Sequence, residues 1–126
     1  MSIAYLDTHV AAWLYGDVRR LTTEAKRQIE QNDLLLSPMA YLELQYLFDR
    51  KRVAARPIQV YLELHAQIGL TLCTFPFPAV AMEALNCNWT NDPFDRIIVS
   101  QAKANGDAVL ITSDLEIRNN YPSARW

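Results

Sequence analysis

The stretch SIAYLDTHVAAWL, residues 2–14, sets the frame for the whole chain. Ser2 to Leu6 is short and apolar, as a buried strand requires, and Asp7-Thr8 then leads into a segment where Val10, Ala11, Trp13 and Leu14 recur with helical spacing. A buried strand that ends on a carboxylate and turns directly into a helix opens a strand–helix–strand unit. Strands buried on both faces belong to parallel sheets, because the helical crossovers between parallel neighbours cover both sides.

The same alternation continues outward from that stretch. Thr22 is placed to cap a second helix, with Leu21 before it and Ala25 and Ile29 on its inward stripe. Leu34 to Leu36 reads as a strand, and Ser37-Pro38 supplies an N-cap and a first-turn proline for a helix running to about Arg52, with Met39, Leu42, Tyr46 and Leu47 along one side. Pro57 opens a helix that Gly69 ends, Leu70 to Phe75 reads as a third strand, and Pro78 to Leu85 as a short helix. Asn86 to Asn91 is polar and turn-rich. Asp92-Pro93 then starts a helix reaching about Asn105, where Gly106 stops it. Ala108 to Ile111 is a fourth strand, a short turn follows, and the tail Ser123 to Trp126 offers an edge strand. The expectation is an α/β fold, a central parallel sheet of four to five strands flanked by helices, in a single domain over residues 1–126. A chain of this length buries about two thirds of its unfolded surface without help from a disulfide or a metal.

Composition narrows the function. The longest apolar runs fall well short of the roughly 20 residues a membrane helix needs, and Met1 leads straight into the first strand, so the chain is expected to be soluble, cytoplasmic and not membrane-associated. Cys73 and Cys87 lie outside any Cys-x-x-Cys spacing and read as buried small hydrophobes. His9 and His65 are isolated, which argues against zinc, and Gly16, Gly69 and Gly106 are too scattered for a phosphate loop. Twelve basic against fourteen acidic side chains give a net charge of −2, not the overall footprint of a tight, sequence-independent nucleic-acid binder. The basic residues are nevertheless grouped, Arg19, Arg20, Lys26 and Arg27 in one stretch and Arg50, Lys51, Arg52 and Arg56 in another, so a local basic rim remains open.

The acids carry the strongest signal. Ligands of parallel α/β sheets sit beyond the carboxyl ends of the strands. Asp7 follows the first strand directly, and Asp114 follows the fourth after only Thr112 and Ser113. Asp95 stands in the first turn of its helix and Glu43 in the second turn of the helix begun at Ser37. Capping alone accounts for Asp92 and would serve for Asp95 and Asp114; Glu43, between Leu42 and Leu44, is harder to explain that way. If the sheet gathers these ends, Asp7, Glu43, Asp95 and Asp114 form one anionic pocket, which cannot remain fully ionised without a counter-charge. All-oxygen donors suit Mg²⁺ or Mn²⁺, ions that activate water and stabilise the leaving oxygen of a phosphodiester. Thr8, Thr112 and Ser113 can add hydroxyls. A phosphorylated Asp7 is disfavoured, since position 9 is a histidine and not a second acid.

In order, Tyr5-Leu6-Asp7-Thr8-His9, the Ser37-Pro38 helix with Glu43, Asp92-Pro93-Phe94-Asp95-Arg96 and Leu110-Ile111-Thr112-Ser113-Asp114 resemble a PIN domain, and most of all the VapC-type toxins of bacterial toxin-antitoxin systems. The resemblance spans essentially the whole chain. It implies a PIN-like fold, Mg²⁺ or Mn²⁺ dependence, endonucleolytic cleavage of RNA, a homodimer, and a cognate antitoxin that covers the acidic pocket. Asp7, Glu43, Asp95 and Asp114 correspond to the family's acids, Asp92 to a less central one, and Arg96 to a residue bracing the site. Thr90-Asn91 stands where relatives often have His-Arg, and Leu42 where they often have Trp, which leaves the acids intact but makes substrate choice this chain's own. The competing reading is a non-catalytic module of the same fold that holds RNA or protein.

Overall fold

The computed structural model describes residues 2–126. Its five strands are β1 (Ile3–Leu6), β2 (Asp33–Leu36), β3 (Thr71–Leu72), β4 (Val109–Ile111) and β5 (Ala124–Arg125). They pair in parallel in the order β3-β2-β1-β4-β5, so β1 is central. Ala4, Tyr5 and Leu6 are each 0% exposed, which is why this strand reads as an unbroken apolar run instead of an alternating one.

Among the described residues seven α-helices cover the sheet: α1 (Thr8–Gly16), α2 (Thr23–Gln31), α3 (Pro38–Asp49), α4 (Pro57–Ile68), α5 (Phe77–Ala84), α6 (Pro93–Ala104) and α7 (Leu115–Asn120). Their starts follow the expected chemistry. Thr22 accepts from the Ala25 amide, Ser37 from Met39, Asp92 from Phe94 and Asp114 from Ile117. Gly69, at φ 72°, closes α4 in the left-handed conformation that a side chain would resist.

Five details differ from the sequence reading. The third strand has only two residues. The Cys73 amide still donates to Leu36 O (2.9 Å), but the Phe75 amide turns back to Cys73 Sγ (3.3 Å) and Pro76 has no amide proton to give. Helix α3 stops at Asp49, ahead of Arg52, in a Schellman turn: Lys51 adopts φ 60°, its amide meets Phe48 O (3.0 Å), and the Arg52 amide meets Leu47 O (2.9 Å). The buried stripe of α3 is Ala40, Leu44 and Leu47, while Leu42 and Tyr46 are exposed, so the helix is rotated from the orientation its larger side chains suggested. The short turn before Tyr121 is a full helix, α7, and an unforeseen 3-10 turn, Val18–Arg20, follows α1.

The order of the strands fixes where a ligand can enter. From β1 the chain moves outward through β2 to β3 and then returns to the other side of β1 for β4. Helices leaving β1 and β4 diverge from that point, and the crevice between them opens at the carboxyl ends of the two strands.

Candidate active site

Asp7 and Asp114 occupy that crevice because their strands end side by side. Leu6 is in register with Ile111, and the Asp7 amide donates to Ile111 O (3.0 Å). Leu6 also pairs with Leu36, so Ser37 starts α3 level with Asp7. Helix α3 packs against both α1 and α6 and brings Glu43 between them. One turn on from Glu43, the Tyr46 ring packs at a tilt against Phe94, centroids 5.4 Å apart, tying the carrier of Glu43 to the residue before Asp95.

The outcome is a pocket of about 330 Å³ lined by Asp7, His9, Trp13, Glu43, Asp92, Asp95, Ser113 and Asp114. All four acids proposed from sequence face it, together with Asp92 and Ser113. Thr8 and Thr112 lie beneath, both 0% exposed. Thr112 Oγ1 donates to Asp7 Oδ2 (2.6 Å) while accepting from the Asp114 amide (3.0 Å), so one hydroxyl sets both acids. Asp7 Oδ1 accepts from the Thr8 amide (2.8 Å), and the Thr8 hydroxyl donates to Glu43 Oε1 (2.5 Å).

The electrostatics are in conflict. Burial lifts Asp7 above the ordinary carboxylate range, against the pull of its bonds from Thr112 and Thr8. Burial likewise lifts Glu43, with the Thr8 bond opposing and Asp7 adding. Asp95 is pushed up to about 8, by burial first and then by the charges of Asp7, Asp92, Asp114 and Glu43. No lysine or arginine lines the pocket among the described residues.

Residues 4–121 match the family model described as PIN domain. The chain belongs to the PIN-domain family. It is 31% identical over 122 residues to ribonuclease VapC22 of Mycobacterium tuberculosis (strain ATCC 25618 / H37Rv), covering 95% of this chain and 93% of that protein. Among solved structures it is similar in fold to VapBC-1 of nontypeable Haemophilus influenzae, with a TM-score of 0.68 at 17% identity over 98% of this chain and 96% of that one. It is also similar to VapBC2 of Rickettsia felis, bound there to a DNA fragment from their promoter, with a TM-score of 0.61 at 18% identity over 97% and 95%.

Within this PIN domain two further placements bear on the sequence reading. Arg96 does not reach the acids: its guanidinium donates to Ala84 O (2.8 Å) and Leu85 O (3.5 Å), holding the start of α6 to the end of α5. Conversely, His9 and Trp13 line the pocket although neither was singled out; their rings lie 5.9 Å apart. The available signal was their i, i+4 spacing on the helix that begins beside Asp7.

As placed, no three His, Cys, Asp or Glu side chains among the described residues converge tightly enough to clasp an ion by themselves. Mg²⁺ holds several waters and takes only one or two carboxylates directly, and the carboxylates and the Ser113 hydroxyl of this partly dry pocket, beside the His9 imidazole and without a side chain of Lys or Arg, include the oxygen donors it favours.

Proposed function

We propose that this PIN domain is a Mg²⁺- or Mn²⁺-dependent endoribonuclease, the toxin of a toxin-antitoxin pair. The supporting observation is the single pocket that collects Asp7, Glu43, Asp95 and Asp114, three of which are driven toward protonation by burial and one another. Likeness to VapC22 supports RNA as the substrate. The VapBC complexes of similar fold support an antitoxin partner, and a homodimer fits the exposed apolar side chains Leu42, Tyr46, Ile58 and Leu62 on α3 and α4.

In this reading Asp7, Glu43 and Asp95 hold the cation, and Asp114 completes its shell or serves a second one. When bound, such an ion would supply positive charge at the phosphodiester and make its bound water more acidic. The side chains do the rest. Thr112 and Thr8 fix the rotamers of Asp7 and Glu43, so the oxygens need no reorganisation when the ligand arrives. The bare acids repel a phosphate, so the site would accept one only with a cation offsetting their charge.

The deciding experiment incubates the purified chain with total RNA in Mg²⁺, in Mn²⁺ and in chelator, and maps the cut sites. Cutting is expected with either ion and not in chelator. Asp7→Asn is expected to lower the rate roughly a thousandfold, the equivalent of about 4 kcal/mol at the barrier, with an unchanged circular-dichroism spectrum. A rate that survives chelation or the substitution ends the reading.

A further inference from the structure

One wall of the acidic pocket is built of rings. His9 and Trp13 line it from α1, one helical turn apart. Two other parts of the chain hold Trp13. The Arg20 guanidinium of the 3-10 turn covers it, 4.6 Å from the ring centroid, and the Trp126 indole packs against it at an interplanar angle of 54°, centroids 5.9 Å apart. Trp126 does not line the pocket itself; it follows β5, and the two indoles meet because β5 lies beside β4 and β4 beside β1.

The two holds on Trp13 differ in kind. Arg20 is exposed, and a surface cation leaves a ring for water at little cost. Trp126 is half-buried against the core, and its backbone neighbour is pinned: Arg125 is in register with Ile111, and its carbonyl accepts from the Thr112 amide (3.0 Å). The hydroxyl of that same Thr112 sets Asp7 and Asp114. One end of the sheet therefore reaches the floor of the pocket through Arg125 and its wall through Trp126. An indole beside carboxylates keeps water from that side of them, and charges act on one another more strongly where water is excluded. A Trp13 ring free to change rotamer would admit water and screen the acids from a cation.

We propose that Trp126 is a positioning residue of the nuclease, a role that rests on the ribonuclease reading: it locks the Trp13 ring as the apolar wall of the acidic pocket without itself touching substrate or ion. Trp89 has no such place, since it lines a separate cavity with Cys87 and Lys103. It serves as the internal control.

Circular dichroism of the metal-free chain tests the contact. Two indoles this close and tilted couple their transitions, and the resulting far-ultraviolet couplet is expected to vanish in Trp126→Phe and in Trp13→Phe alike and to persist in Trp89→Phe. Mn²⁺ titrations, of RNA cutting and of binding without RNA, test the role. Trp126→Leu keeps an apolar side chain but no ring, and is expected to raise the half-saturating Mn²⁺ about fivefold in both, the scale of one aromatic pair. Trp126→Phe keeps a ring and is expected to stay within about twofold of the unmodified chain. Trp13→Leu is expected to show the same shift, and adding Trp126→Leu to it to change nothing beyond about twofold, because the residue acts through that indole. A merely structural role would add to the Trp13→Leu effect. Additive shifts, a couplet that survives Trp126→Phe, or an unshifted Mn²⁺ requirement in Trp126→Leu overturns the assignment, and an unshifted Trp13→Leu overturns it even if Trp126→Leu does not fold. RNA cutting by the unmodified chain tests the ribonuclease reading separately, and Mn²⁺ binding reads the wall whether or not RNA is cut.

Discussion

Tyr5 and Asp7 lie two residues apart on and just beyond the central strand, and both are buried, yet their polar atoms live in opposite circumstances. The Tyr5 hydroxyl accepts from Asn105 Nδ2 (2.8 Å) and is bonded to Cys73 Sγ (3.0 Å), and burial holds the phenol neutral, well above its ordinary range. A neutral group with matched partners is a finished piece of structure. Asp7 is also hydrogen-bonded at both oxygens, but it faces Glu43, Asp95 and Asp114 across a shared pocket and no internal arrangement relieves that repulsion. The difference separates a polar group kept for stability from one kept at the cost of stability, and the second kind points to a ligand.

The comparison breaks most visibly at Thr112, which serves both acids. Thr112→Val removes the donor to Asp7 and the acceptor for the Asp114 amide inside the protein, and is expected to cost about 3 kcal/mol in urea unfolding, along with activity. A midpoint near that of the unmodified chain would show that water replaces the hydroxyl and that the acids are not fixed by it.

Asp95 sharpens the contrast in the other direction, because its replacement should stabilise. Its folded pKa of about 8 lies above the ordinary 3.8, so the folded chain retains a proton that the unfolded chain releases. This contribution to stability is complete below about pH 4 and is lost as pH rises through about 8. In chelator, Asp95→Asn is therefore expected to gain on the order of 2 kcal/mol near pH 8, after discounting for the part of the carboxyl that water screens, and to flatten the decline seen between pH 4 and 8. Mg²⁺ should flatten the same decline in the unmodified chain. Parallel pH profiles for the two chains in chelator would mean that the acids are not in conflict.

The smallest effect is expected at the satisfied site. Tyr5→Phe loses two hydrogen bonds from the core and should cost about 1 kcal/mol, with the cutting rate unchanged within about twofold. A large loss of cutting from this variant would erase the distinction between the two regions.

Much of this was legible because it is local. Ser37-Pro38, Asp92-Pro93 and Gly69 announce helix ends by their own backbone chemistry, and the unbroken apolar run before Asp7 announces a strand covered on both sides. Strand ends and helix starts in turn locate the acids, which is why Asp7, Glu43, Asp95 and Asp114 could be named together. His9, Trp13 and Trp126 were not assembled in that way, since no periodicity links α1 to the residue after β5. The direction of Arg96 was equally illegible: its partners are carbonyls at the end of α5, and a carbonyl carries no mark in the sequence.

Sequence by itself determined the order of strands and helices and the residue types at their junctions, because hydrophobic period, caps and breakers act over a few positions. Tertiary structure decided which junctions meet: placing β4 beside β1 sets Asp114 next to Asp7, and the rotation of α3 turns Glu43 inward while leaving Leu42 out. Those choices depend on packing and repulsion between groups distant along the chain, and such energies exist only once the groups are close.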